Sequence, residues 1–363
     1  MIFVTRPYLP ELKEYIRYLK KIWKNKWLTN NGEFVRSLEV EQKKYLKVKN
    51  LLLTTNGMLG LQLTLKALDL TGEVITTPFT FAATTNVLVW EGLTPVFADI
   101  DPETYNIDPI DVERKITKKT SAILAVHVYG NPCDVITLQR IARKYELKLI
   151  YDAAHAFGVK CKGRSVLEYG DASVVSFHAT KMYNTIEGGA IVVKDKMLIK
   201  KLKLLRDFGI ESEEKVVLPG INAKMNEFQA AMGLCNLKSI GTIIKKRKVI
   251  YERYKDALSD LPSISFQRLV TSQYNYIYMP VCFSDKQERD NVYGALRDQG
   301  IMSRKYFYPL TTEAVYFKGK NLIKKFKLDN AKNVADRILC LPIYPDLGLG
   351  VVDRITSLIK RSL

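Results

Sequence analysis

Between about residues 50 and 195 the chain alternates short, nearly unbroken apolar runs with helix-forming stretches, and this constrains the fold more than any other feature. Asn50-Leu51-Leu52-Leu53-Thr54 reads as a strand, and after Asn56-Gly57 a helix is expected from about Met58 to Leu68. Further strands are expected at Glu73-Val74-Ile75-Thr76, Pro95-Val96-Phe97-Ala98, Ala122-Ile123-Leu124-Ala125-Val126, Leu149-Ile150-Tyr151 and Ser173-Val174-Val175-Ser176-Phe177. Gly188-Gly189 opens one more, Ala190-Ile191-Val192-Val193. A strand apolar at consecutive positions is buried on both faces, and strands joined through helices run parallel. The pattern therefore predicts an α/β fold with a mainly parallel sheet covered on both sides.

Beyond this region the text changes. A lysine-rich helical stretch near 236–258 reads as a bridge, Tyr276-Ile277-Tyr278-Met279-Pro280-Val281 as a strand, and Lys286 to Gln299 as a helix. We expect a large domain over 1–240, including the N-terminal segment, and a smaller α+β C-terminal domain over 241–363. A chain of 363 residues is long enough to give each its own core.

Several function classes fall away. No run approaches the roughly 18 consecutive apolar residues of a membrane span, and Met1-Ile2-Phe3-Val4-Thr5-Arg6-Pro7 is too quickly interrupted for a signal peptide. A cytoplasmic address without membrane partners is the expectation. The five cysteines (Cys133, Cys161, Cys235, Cys282, Cys340) are scattered and odd in number, which argues against a disulfide framework or a cysteine-based zinc site. With only His127, His155 and His178 as histidines, no metal site is expected. The net charge of +18 would suit nucleic acid, but no helix-turn-helix, RNA-binding or zinc-finger signature accompanies it. Lysines spread over solvated helix faces explain the charge, so no nucleic-acid partner is expected. A nucleotide-dependent dehydrogenase would need a G-x-G-x-x-G turn after the first strand, where this chain has only Gly57 and Gly60.

In an open α/β sheet, ligands gather at the carboxyl ends of the strands. Four segments stand out there. In Tyr151-Asp152-Ala153-Ala154-His155-Ala156-Phe157-Gly158, Asp152 ends a strongly apolar strand, where a carboxylate is costly unless a cation meets it. Alone it could equally cap the next helix or bind magnesium. In the segment from Ser176-Phe177-His178-Ala179-Thr180-Lys181 to Gly188-Gly189, Lys181 follows a buried strand and is poorly placed for solvent. Desolvation lowers a lysine's pKa and makes it a nucleophilic amine suited to Schiff-base chemistry. Any single lysine can also be a snorkelling surface residue; with Asp152 one excursion away, the site reading is preferred. Leu53-Thr54-Thr55-Asn56-Gly57-Met58-Leu59-Gly60 puts free backbone N–H groups at a helix start, an anion site fit for phosphate, although on its own it reads equally as an ordinary turn. Gly220-Ile221-Asn222-Ala223-Lys224-Met225-Asn226-Glu227 reads by itself only as a loop entering a helix.

Together, and in this order, these segments resemble the DegT/DnrJ/EryC1/StrS family of sugar aminotransferases, a branch of the fold-type I pyridoxal-phosphate (PLP) enzymes. The resemblance runs from Trp27-Leu28-Thr29-Asn30-Asn31-Gly32 to Leu341-Pro342-Ile343-Tyr344-Pro345, with Ser176 to Gly189 its most specific stretch. It implies that Lys181 holds PLP as a Schiff base and shuttles the proton, and that Asp152 pairs with the pyridine nitrogen. It places His155 against the ring's phenolic oxygen, Phe81 on the ring face (unless Phe81 is a core residue), and Ser176 with the backbone of Gly57 and Met58 on the phosphate. Asn222 matches an asparagine that reaches the phosphate of the neighbouring subunit, implying a homodimer with shared sites. Met58 departs from the family's usual threonine or serine, so a hydroxyl is lost and somewhat weaker cofactor retention is expected. Tyr183, Tyr306 and Tyr308 are candidates for substrate contact.

Lys26-Trp27-Leu28-Thr29-Asn30-Asn31-Gly32, Val126-His127-Val128-Tyr129-Gly130-Asn131-Pro132-Cys133-Asp134 and Tyr306-Phe307-Tyr308-Pro309-Leu310 look most like enzymes that make dTDP-4-amino-4,6-dideoxyglucose from dTDP-4-keto-6-deoxyglucose with L-glutamate as amino donor. The Ser176–Gly189 motif is shared with relatives that aminate C3, so a 3-aminotransferase acting on a dTDP-3-keto-6-deoxyhexose is the alternative. A non-catalytic regulator on the same fold would be expected to have lost Lys181 or Asp152, and both are present.

Overall fold

The seven expected runs form one sheet. In the computed structural model, which describes residues 1–317 and 326–363, its strands are β1 (Asn50–Thr54), β2 (Glu73–Thr76), β3 (Thr94–Phe97), β4 (Thr120–Val126), β5 (Lys148–Asp152), β6 (Ala172–Ser176) and β7 (Gly189–Val193). Their spatial order is β1-β7-β6-β5-β4-β2-β3. Only β7 runs against the rest, pairing antiparallel with both β1 and β6, while β2 to β6 pair in parallel. Leu52, Leu53, Ile75, Ile123, Leu124, Leu149, Ile150, Val175 and Ile191 are all inaccessible, split between apolar clusters on the two faces of the sheet. Burial on both faces is why these strands read as continuous rather than alternating apolar runs.

The C-terminal part has a second, antiparallel sheet of β8 (Ile264–Phe266), β9 (Met279–Phe283) and β10 (Ile338–Leu341), backed by helices Lys286–Asp298 and Leu349–Ser362. The strand expected from Tyr276 starts later, at Met279. Tyr276 has φ 55°, and the side-chain amide of Asn275 is tied to the carbonyls of His155 and Phe157, so this stretch is held out of extended geometry.

The bridging helix begins earlier than expected and spans Glu227–Leu258, opened by a capping box in which Asn226 and Gln229 bond each other's backbone N–H. It crosses 240/241 without a break. Farther along, buried Arg247 ties it to the carbonyls of Ile277 and Ile343 in the C-terminal part. The N-terminal tail also makes contacts beyond the helix. Ile2 pairs with Ile301 in an isolated bridge, and the N–H of Ile343 donates to the carbonyl of Val4, so the first residues are tied to the C-terminal part. All five cysteines are buried and free. No helix among the described residues is long and apolar enough to cross a membrane.

Candidate active site

A cavity of about 700 Å³ opens at the carboxyl ends of β1, β5 and β6. It is lined by Gly57, Met58, Phe81, Asp152, His155, Ser176, Lys181 and Tyr306, so most residues expected from the sequence converge there.

The phosphate-type cradle comes from a tight approach of two turns. Asn56 caps the helix Gly57–Ala67 by accepting the N–H of Leu59, which leaves the N–H groups of Gly57 and Met58 without a partner among the described residues. A Cβ on Gly57 would lie 3.0 Å from the Cβ of Ser176, and one on Gly189 would lie 2.7 Å from the carbonyl carbon of Asn56. Glycine at both positions lets β6 and β7 close on the helix start. The Ser176 hydroxyl is brought beside the open N–H groups, where the helix dipole favours an anion.

Asp152 is buried at the end of β5. One of its oxygens accepts from the Ala154 N–H at 3.0 Å, and the other from the Thr84 hydroxyl at 2.7 Å. Thr84 in turn lies 2.8 Å from the hydroxyl of Thr80, just ahead of the helix. Burial pushes the Asp152 carboxyl above its usual range; Thr84, the Ala154 N–H and the charge of Lys181 oppose that. The carboxylate is thus held in place with no ion-pair partner among the described residues.

Lys181 sits on the β6–β7 loop, its N–H bonded to the carbonyl of His178 at 2.9 Å. Its side chain lines the cavity and has no hydrogen-bond partner among the described residues. Burial lowers its pKa to about 8, with Asp152 pulling it back up and Arg304 pushing it further down. Burial also holds the His155 imidazole well below its ordinary range, so it is neutral, and its Nδ1 is buried with no hydrogen-bond partner among the described residues. The imidazole lies parallel to Phe307, ring centres 5.9 Å apart, and edge-on to Tyr278 at 5.0 Å.

Other expected residues lie elsewhere. Tyr183 does not line the cavity: it is buried, stacked on Phe157 at 4.4 Å and edge-on to Phe177 at 5.1 Å. Two residues after Lys181 the loop turns back into the core, so this candidate substrate contact is a packing residue. Tyr308 also lies off the cavity lining, with the buried Arg289 guanidinium 4.8 Å from its ring centre. Tyr306 is buried in the wall, with the Arg304 guanidinium 4.4 Å above it. Asn222 is exposed and outside its own chain's cavity, on a loop whose next residue, Ala223, accepts the N–H of Thr55.

Sequence reasoning did not single out Thr84, Arg304, Tyr278, His178 or Glu187 as site residues. For Thr84 a signal existed: it stands at i+4 from Thr80, on the first turn of the helix that Phe81 caps. Arg304 and Tyr278 come from the C-terminal part, and no local pattern announces them.

A model of the DegT/DnrJ/EryC1/StrS aminotransferase family matches residues 11–360. The chain belongs to this family. It is an aminotransferase. An Escherichia coli protein named dTDP-4-amino-4,6-dideoxy-D-glucose transaminase is 46% identical over 362 residues, 98% of this chain and 97% of the relative. A Shigella dysenteriae protein of the same name is 43% identical, covering 99% and 98%. Among solved structures, DesI in the presence of its TDP-sugar product superposes with a TM-score of 0.93 at 36% identity, over 99% of this chain and 92% of that one.

The residues present fit PLP. The open N–H groups of Gly57 and Met58 with the Ser176 hydroxyl suit the phosphate, and buried Asp152 lacks the cation that a protonated pyridine nitrogen would supply. The unpartnered Nδ1 of His155 suits a polar ring substituent, and Lys181 carries an amine of lowered pKa.

Proposed function

We propose that this aminotransferase moves the amino group of L-glutamate to C4 of dTDP-4-keto-6-deoxyglucose, giving dTDP-4-amino-4,6-dideoxyglucose and 2-oxoglutarate. The observation that carries the reading is a lysine of lowered pKa beside a buried, positioned carboxylate, in a cavity with an anion cradle at one end. The cofactor is PLP, which when bound draws electrons from the substrate carbon that gives up its proton. Lys181 holds the cofactor and then, as a free amine, moves that proton. Asp152, oriented by Thr84 and the Ala154 N–H, keeps a proton on the pyridine nitrogen. Gly57, Met58 and Ser176 hold the phosphate, and Phe307 and Tyr278 fix the plane of His155. The choice of C4 and of a thymidine nucleotide is supported by the names of the two enterobacterial relatives and of the DesI structure.

The working unit is a homodimer in which Asn222 serves the partner's phosphate. Its exposure, and its absence from the cavity of its own chain, support that reading. The deciding assay offers the enzyme dTDP-4-keto- and dTDP-3-keto-6-deoxyglucose with glutamate. Turnover of the 4-keto sugar is expected. Turnover of the 3-keto sugar alone would move the reaction to C3.

A further inference from the structure

Two polar residues of the cavity wall, His178 and Glu187, have no part in holding the cofactor or moving the proton. They stand near the two ends of the β6–β7 loop that presents Lys181. The loop is pinned from within: the Phe177 N–H donates to the carbonyl of Gly188 at 2.8 Å, and the Thr185 N–H donates to the carbonyl of Phe177 at 2.9 Å. His178 Nδ1 lies 2.8 Å from the Thr180 hydroxyl and accepts the Thr180 backbone N–H at 3.3 Å. A ring nitrogen that accepts an N–H carries no proton itself, so in the neutral imidazole the proton is on Nε2. Nε2 faces Glu187 Oε1 at 3.5 Å, which is longer than the roughly 2.8 Å of a charge-assisted hydrogen bond. Both residues line the cavity, and both side chains are about half exposed. The pair is aligned but not closed.

We propose that His178 and Glu187 together read a ring hydroxyl of the sugar substrate. Nε2–H donates to the hydroxyl oxygen, and the hydroxyl donates to the Glu187 carboxylate. The inference rests on the nucleotide-sugar reading above. A donor and an anionic acceptor side by side match a group that accepts and donates at one atom, and a hydroxyl is that group. A carboxylate or phosphate placed there would meet the negative charge of Glu187. Two substrates must use this one cavity in turn, and only the sugar brings hydroxyls to it. The pair therefore acts in one half of the reaction, and does so beside the amine, because the same loop carries both.

The test uses the holoenzyme with Glu187→Gln and His178→Phe, following each half-reaction separately in single turnover. One half takes L-glutamate. The other takes the keto sugar, or its 2-deoxy and 3-deoxy analogues. Each substitution is expected to lower kcat/KM for the keto sugar by about 10- to 100-fold, the size expected when a hydrogen bond to a charged group is lost. The glutamate half-reaction is expected to stay within about twofold, since no contact to that substrate is removed. For one of the two deoxy analogues wild type and variants should react alike, and calorimetric binding of the nucleotide sugars to cofactor-free protein should show the same selective loss. Equal slowing of both half-reactions would reduce the pair to a support of the lysine loop and overturn the proposal. So would an undiminished effect on both analogues. If wild type reacts with glutamate but with no keto sugar, the substrate reading itself fails and takes this one with it.

Discussion

The nucleophilicity of Lys181 can be read directly in the cofactor-free protein. A solvated lysine titrates near 10.5, and burial, opposed by Asp152 and helped by Arg304, brings Lys181 to about 8. At pH 7 its neutral fraction is then about 10% instead of about 0.03%, roughly 300-fold more free amine than an ordinary lysine presents. Labelling of Lys181 by an amine-reactive reagent, read on its peptide by mass spectrometry, should rise with pH and level off above about pH 8, while surface lysines are still gaining near pH 10. The two charged neighbours make opposite predictions. Asp152→Asn removes the anion that favours the ammonium, so the midpoint should move down. Arg304→Gln removes a repelling cation, so it should move up. A midpoint in the ordinary lysine range, or one that Asp152→Asn leaves in place, would refute this account of the site.

Other substitutions separate chemistry from packing. Lys181→Ala should abolish transamination in steady-state assay while circular dichroism stays native, because the side chain makes no hydrogen bond that the fold needs. Asp152→Asn should lower kcat by about 10²-fold or more, since an amide cannot hold the ring nitrogen protonated. Thr84→Val should lower kcat in the same direction but less, because it removes one of the two bonds that orient Asp152; a wild-type kcat would show that the Ala154 N–H suffices. Co-expression of Asn222→Ala with Lys181→Ala should restore up to about half of wild-type activity per mixed dimer, since both lesions then share one site. That test needs Asn222→Ala alone to be impaired, and no recovery on mixing would place Asn222 in its own chain's function.

The motif around Lys181 was legible because it is local. A buried strand, a tight loop and a Gly-Gly pair lie within a few residues, and the close approach of Gly57 and Gly189 to their neighbours explains the glycines. Asp152 was legible for a related reason: a carboxylate at the end of a buried strand needs a partner wherever the strand lies. Tyr183 shows the limit of this reasoning. Its place two residues after Lys181 suggested the cavity, but the loop turns it onto Phe157.

The apolar runs alone point to a sheet buried on both faces, because runs of four to seven residues rich in Val, Ile and Leu are too short for buried helices and satisfy their backbone polar groups by pairing with one another. Strand order is another matter, since any of several arrangements buries the same residues. The observed order sets β7 between β1 and β6, and this brings the helix start at Gly57 against Ser176. Arg304 enters the cavity because its backbone pairs with Cys340 across two elements of the C-terminal part. Thr84 meets Asp152 across 68 residues of chain. Contacts of this kind depend on how the two parts pack, and side-chain packing between distant segments leaves no periodic trace in either of them.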